Sequence, residues 1–317
     1  MSVLLLLLCC AVPHPDDAPT PPADRADAGS DSAEGDSGPA DTGELPDPQA
    51  IPPGPWEVVA VGAIHACVLR EQRPSCFGFD LAGAASPPDL HDLTALSAGI
   101  GHTCGLNTEG VVTCWGDDSH GQSTPPDEPF VSIDAGHDHT CGITLSGELR
   151  CWGNNTENKA TPPVGSGWST VSAGGYHTIA LSDDGRATCW GSEKLCINKQ
   201  GMAGTIAAAG FQHTVLVQND GTAICGGSSG EGRCPEGLVV DVAVAGGYHT
   251  CGLAADRSPE GEGLLACWPD GSADAPYYEL GAKYLSLSAG LTYTCGITLA
   301  GEVECWSWTG DPWPTDP

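Results

Sequence analysis

One short string recurs seven times in this 317-residue chain and leaves few architectures open. Gly99-Ile-Gly-His-Thr-Cys-Gly-Leu106 aligns with Gly136-His-Asp-His-Thr-Cys-Gly-Ile143 and with Gly246-Gly-Tyr-His-Thr-Cys-Gly-Leu253. Copies starting at Gly174 and Gly210 keep the His-Thr pair, and weaker ones start at Gly62 and Gly290. The marker residues are His65, His102, His139, His177, His213, His249 and Tyr293, spaced 37, 37, 38, 36, 36 and 44 residues apart. A period of this length means one supersecondary unit stacked many times, because a unit so short cannot bury its apolar face alone.

Each copy reads as strand, turn, strand. Leu96-Ser-Ala leads into His102-Thr-Cys-Gly-Leu106; Asn107-Thr-Glu-Gly110 supplies a turn with Gly where positive φ is wanted; Val111-Val-Thr-Cys-Trp115 returns. No helical period of useful length interrupts the pattern, and 44 Gly, 26 Pro and only 16% charged residues suit a turn-dense β protein. Three or four short strands in about 37 residues make one blade, and seven blades close a ring with no exposed edge. The expected fold is therefore all-β, a seven-bladed β-propeller. An open solenoid would need polar capping units, which the terminal copies do not clearly provide.

The string Ser172-Ala-Gly-Gly-Tyr-His-Thr178, the Asp183-Asp-Gly185 turn, Cys-Trp-Gly at 114–116, 151–153 and 189–191, and the Gly116-Asp-Asp-Ser-His-Gly-Gln122 tail resemble the regulator of chromosome condensation repeat family in its secreted bacterial form. The resemblance covers about Trp56 to Trp308. It implies a seven-bladed propeller used as a protein-interaction platform. Family members serve as exchange factors, inhibitors or surface modules, so fold alone does not give function.

Sixteen cysteines point to an oxidising compartment. Five copies carry a pair flanking the hairpin turn: Cys67/Cys76, Cys104/Cys114, Cys141/Cys151, Cys251/Cys267 and Cys295/Cys305. Facing residues on adjacent strands lie within disulfide reach. Where Ile179 and Val215 replace the first cysteine, Cys189 and Cys225 gain neighbours at Cys196 and Cys234. Four cysteines leave three connectivities open; the local pairs Cys189–Cys196 and Cys225–Cys234 are the expectation. Zinc is disfavoured, since no Cys-x-x-Cys occurs outside the N-terminal segment.

The chain opens on a short apolar run, Val3–Val12, too short to span a membrane. It reads as a secretion signal over residues 1–10. Leu-Leu-Cys-Cys resembles the end of a bacterial lipoprotein signal, which makes Cys9 or Cys10 the expected lipid anchor. Residues 11–55 carry ten acidic side chains against Arg25 and no aromatic, so they are expected to be a disordered tether. The propeller is expected at 56–308 and a tail at 309–317.

The net charge is −30, of which the tether holds −9, so the repeats are acidic in their own right. Such a surface repels phosphate, which excludes nucleic acid as a partner, and favours a basic protein partner. No nucleophile motif, metal-ligand spacing or phosphate loop appears; no catalytic, cofactor or metal residue is assigned. The repeated histidines are expected to be structural, because equivalent positions point around a ring too wide to share an ion. Trp115, Trp152, Trp190, Trp268 and Trp306 are expected to pack between blades. Candidate partner-binding residues are the irregular ones: Asp117, Asp118, Asn154 and Asn155 in equivalent loops, with Trp168, Tyr277 and Tyr278. The loops bearing Asp117-Asp118, Asp183-Asp184 and Glu231 are expected to form an acidic rim. The reading is an exported or surface-tethered, non-catalytic protein-interaction module, with membrane contact through the lipid anchor alone. The alternative is a carbohydrate-binding module using rim Trp and Tyr residues, Trp308 and Trp313 among them.

Overall fold

In the computed structural model, residues 55–197, 202–227, 234–235, 239–254, 264–269, 278–280 and 284–307 are described. The signal-like segment, most of the tether, Glu231, Tyr277, Trp308 and Trp313 lie outside them. Seven antiparallel sheets follow one another along the chain. In blade 2, Leu93–Ala98, His102–Asn107 and Val112–Gly116 form an inner, middle and outer strand. The same meander recurs in blades 1 (58–78), 3 (130–153), 4 (168–191), 5 (206–227) and 7 (284–307). Blade 6 (240–280) adds a fourth strand, Tyr278–Leu280. The protein is a seven-bladed β-propeller.

Local chemistry explains each hairpin. The turn glycines Gly110, Gly147, Gly185, Gly221 and Gly301 all have φ between +76° and +83°, where a Cβ would be strained. The hairpin of blade 1 has no glycine at its turn, and Glu71 and Gln72 take the positive φ there. Beyond the turns the chain returns in register. Cys67 therefore faces Cys76, Cys104 faces Cys114 and Cys141 faces Cys151. In the last two blades Cys251 faces Cys267 and Cys295 faces Cys305. All five facing pairs are disulfides, Cys67–Cys76 and Cys295–Cys305 included. With Cys189–Cys196 and Cys225–Cys234 the structure holds seven, each inside one repeat. Those two bridges differ in kind: Ile179 and Val215 face Cys189 and Cys225 across the hairpin, so each cysteine bonds a sulfur in its outgoing loop instead.

The core lies between blades, not within them. Ala60, Cys67 and Leu69 of blade 1, with Cys76 half-buried beside them, pack with Leu93, Leu96 and Trp115 of blade 2. Cys104 and Leu106 pack with Phe130 and Trp152, and Cys141 and Ile143 with Val171 and Trp190. Burying each such leucine or isoleucine contributes about 2 kcal/mol. Blade 7 meets blade 1 through Cys295, Ile297 and Cys305 against Val59, Val61 and Phe77. Two hydrogen bonds join the same blades, Val61 N to Ser288 Oγ at 3.0 Å and Trp56 N to Gly301 O at 2.7 Å.

The repeated His-Thr pair stitches neighbouring blades. The His65 ring lies 2.8 Å from Thr103 Oγ1, His102 2.9 Å from Thr140, and His139 2.9 Å from Thr178. His177, His213 and His249 reach Thr214, Thr250 and Thr294 in the same way. Thr103, Thr140, Thr178 and Thr214 spend their own protons on the carbonyls of Ala84, Gln122, Lys159 and Leu195. Each of these hydroxyls therefore accepts from histidine, and the facing imidazole is the neutral Nε2–H tautomer. Trp115, Trp152 and Trp190 donate Nε1–H to the first three of those carbonyls. One repeat string thus builds a relay of His, Thr, loop carbonyl and Trp across the joints between blades 1 and 2, 2 and 3, and 3 and 4. Where blade 7 meets blade 1, both halves of the pair change together: Tyr293 stands in the histidine position and Ala66 in the threonine position.

Burial holds the histidines neutral. It pushes His65, His102 and His213 down to about 4, and His177 and His249 to about 3. His139 moves the same way, with the Lys159 charge adding to burial.

Candidate interaction site

Every inner strand ends in Ala-Gly or Val-Gly, and the reason lies in the neighbouring blade. A Cβ on Gly99 would sit 2.3 Å from the carbonyl oxygen of Gly136, and one on Gly174 2.3 Å from that of Gly210. The same clash, at 1.9 to 2.5 Å, recurs at the other five joints, Gly290 against Gly62 included. Only glycine allows seven chains to converge so closely. Backbone N–H groups from one loop then donate to the next, as His137 N does to Gly174 O and Phe211 N to Gly246 O, both at 3.1 Å. The convergence leaves a mouth of about 70 Å³, lined by all seven loops.

The two residues between that glycine and the repeat histidine vary, and they form the surface around the mouth. Phe211 sits among three rings: His137 at 5.1 Å between centroids, Tyr176 at 5.2 Å and Tyr248 at 5.9 Å. Tyr176 and Tyr248 are 39% and 47% exposed, unusually open for aromatic residues in a cluster. Beneath them lies Lys159, 2% exposed, whose ammonium bonds Asp138 and the Gly175 carbonyl and stands 5.7 Å from the Tyr176 ring centre. Burial lowers the His137 pKa, opposed by Asp138 and aided by Lys159, so this ring is neutral and joins the aromatic surface. Ile64, Phe79 and Leu81 add exposed apolar groups on blade 1 and its outgoing loop. Sequence reasoning missed Phe211, Tyr176, Tyr248 and Lys159. The available signal was irregularity beside a regular histidine.

The acidic loops come to the same end of the ring, but their carboxylates build the loops. Asp117 accepts from Ser119 N and Oγ and from Gln122 Nε2. These bonds, that from Ser119 N foremost, hold its pKa below the usual carboxylate value. Asp118 accepts from Ser123 N and Thr124 Oγ1, and Asp80 from Ala85 N and Ser86 Oγ. Asn155 caps its loop through Ala160 N, and Asn154 bridges Asp138 and Thr156. All of these donors are neutral, so the negative charge remains. Asp183 and Asp184 belong instead to a hairpin turn at the far end of blade 4, one strand length of roughly 17 Å away. A single acidic rim uniting them with Asp117 and Asp118 does not exist, because outgoing loops and hairpin turns occupy opposite ends of each strand. Trp168 is likewise no rim residue: it starts an inner strand at the turn end, half-buried against blade 3, with Nε1–H on Gly165 O at 3.3 Å. Tyr278 opens the fourth strand of blade 6, paired with Cys267 of the third.

Below the mouth runs an axial cavity of about 350 Å³ walled by the inner strands. Asp134 projects there, accepting from Ser97 Oγ at 2.9 Å and Ala173 N at 2.8 Å, so it ties blades 2, 3 and 4 together. Burial raises its pKa to about 6 against those hydrogen bonds. Among the described residues no group of three His, Cys, Asp or Glu side chains converges on a metal position.

The regulator of chromosome condensation (RCC1) repeat model matches residues 93–122, 130–158 and 168–194, which are blades 2, 3 and 4 with their outgoing loops. No curated protein sequence matches the chain. Among solved structures, the chain resembles the CRINKLY WD40 ectodomain of the Arabidopsis thaliana receptor kinase ACR4. That likeness has 23% identity and a TM-score of 0.63 over 82% of this chain and 100% of that one. The entire ectodomain of the Physcomitrella patens receptor kinase CR4 matches at 25% identity and a TM-score of 0.64, covering 78% and 72%. Prp20p from Saccharomyces cerevisiae, described with its binding to Gsp1p and histones, shares the fold at 15% identity and a TM-score of 0.61, covering 76% and 82%. The chain is a seven-bladed propeller whose second, third and fourth blades match regulator of chromosome condensation repeats.

Proposed function

We propose that this protein is an exported, non-catalytic propeller whose loop face binds a protein partner. The observation that carries the reading is the exposed aromatic and apolar surface around the mouth, on a scaffold whose repeated histidines are all committed to joints between blades. Seven disulfides fit an oxidising compartment, and the similar receptor-kinase ectodomains are consistent with export. Lipidation at Cys9 or Cys10, with residues 11–55 as the tether, would hold the propeller at a bacterial surface. The acidic charge of the repeats suits a basic partner met at a rate that falls as salt rises.

The test is cross-linked capture from the native envelope with the disulfide-intact chain, run beside a glycan array. Saturable capture of one protein, weakened by Tyr176→Asp and by raised salt, supports the reading. Binding to glycans with no protein captured would replace it with carbohydrate recognition. Mass spectrometry that finds an unmodified N-terminus downstream of Cys10 would remove the anchor.

A further inference from the structure

The aromatic surface and the acidic loops share one end of the ring, and together they specify what chemistry fits there. Phe211 is surrounded by His137, Tyr176 and Tyr248, and ring faces carry negative electrostatic potential. The cluster already satisfies one cation from below: the Lys159 ammonium sits 5.7 Å from the Tyr176 ring, fixed by Asp138 and Gly175. Nothing among the described residues places a cation above it. Toward blades 1 and 2 stand the carboxylates of Asp80, Asp117 and Asp118, hydrogen-bonded only to neutral donors and so still charged. Those bonds fix the position of each charge without neutralising it, which is how a surface is prepared for an opposite charge.

We infer that the mouth of the ring takes an arginine or lysine side chain of a protein partner onto Phe211, Tyr176 and Tyr248, with further cations of that partner meeting Asp80, Asp117 and Asp118. The inference rests on the interaction-module reading above and names its site and chemistry. Charge decides the occupant. The chain's own tether carries ten acidic residues against one Arg and is repelled, as is any phosphate backbone. A purely apolar partner would leave the carboxylates desolvated and unpaired, which costs more than the aromatic contact returns. A cation–π contact on exposed rings, reinforced by nearby carboxylates, suits both halves of the face.

The test uses the full disulfide-bonded chain against a displayed library of random 12-residue peptides, followed by anisotropy titration of the best binder. Enriched peptides should share Arg or Lys, and replacing that residue by Gln should weaken binding about tenfold. Phe211→Leu keeps apolar area but removes the ring face; it should weaken binding about fivefold with an unchanged unfolding midpoint. Tyr248→Leu is the second variant, should Phe211→Leu disturb the joint between blades 4 and 5. Leu145→Asp, at a hairpin turn on the opposite face, should leave affinity unchanged. Enriched peptides without a cation, or affinity indifferent to both aromatic variants yet lost in Leu145→Asp, would overturn this site and leave the interaction reading standing. A library yielding no binder would overturn both.

Discussion

Moving the protein from pH 7.5 to pH 5 charges the histidines of the unfolded chain but not those buried at the joints between blades. An unfolded histidine titrates near 6.5. In the folded ring, burial holds His65, His102 and His213 at about 4 and His177 and His249 at about 3. The unfolded state therefore binds protons first, and stability falls as pH drops below 6.5, levelling only below the folded values. At pH 5 each of the five loses about 2 kcal/mol, roughly 10 in all. Asp134 works the other way. Its folded pKa of about 6 exceeds the ordinary 3.8, so its protonated form favours the fold and returns about 1 kcal/mol at pH 5. The net loss of about 9 kcal/mol is comparable to the whole stability of a typical domain. With a urea slope of about 3 kcal/mol/M, the midpoint should fall by about 3 M. Tryptophan fluorescence in urea at fixed ionic strength, with disulfides intact, measures it directly. The slope of stability against pH near 5 should correspond to about four protons taken up on unfolding by these five histidines net of Asp134, with His139 adding in the same direction, and His102→Gln should reduce the uptake by about one. A midpoint equal at the two pH values, or uptake of less than one proton, would refute the neutral-histidine relay.

Other perturbations probe separate links. Thr140→Val leaves the buried His102 Nε2–H without its acceptor and takes from the Gln122 carbonyl one of its two donors, Trp152 Nε1–H remaining, and should cost about 2–3 kcal/mol by chemical denaturation. Gly174→Ala drives a Cβ into the Gly210 carbonyl at 2.3 Å and should cost about 3 kcal/mol or prevent accumulation of soluble protein. Replacing Cys104 and Cys114 together by Ser should lower stability by about 2.5–3 kcal/mol, and non-reducing peptide mapping of the wild type should return seven links, each within one repeat. Combining Tyr293→His with Ala66→Thr installs a seventh His-Thr pair, so a double-mutant cycle should show about 1 kcal/mol of favourable coupling; coupling near zero would mean the last joint is built differently.

The seven in-register repeat strings, five of them with His-Thr intact, and the Gly-punctuated hairpins were enough to read a seven-bladed propeller, because period and turn chemistry are local properties. The pairing of Cys104 with Cys114 was legible for the same reason: both flank one turn. Cys67 with Cys76 and Cys295 with Cys305 were equally legible in the two weakest copies, where the His-Thr string itself is broken. The candidate site was far less legible. Asp117 and Asp118 looked like a free acidic motif, yet their oxygens are occupied by Ser119, Gln122, Ser123 and Thr124, whose approach depends on how the loop folds back. Asp183-Asp184 resembled the same motif in composition and lies at the opposite end of a strand.

By itself, then, the sequence determined the number of blades, the order of strands within each and the bridges across five of the hairpins, all interactions between residues a few positions apart. Only the tertiary structure decided that Gly99 must be glycine because of Gly136, and that Thr103, Thr140, Thr178 and Thr214 fix the tautomers of the histidines they face. It also decided that Phe211, Tyr176 and Tyr248, from three repeats, form one surface. Those facts arise across joints between blades, where contacts about 37 residues apart are set by the radius of the closed ring and leave no trace in any single repeat.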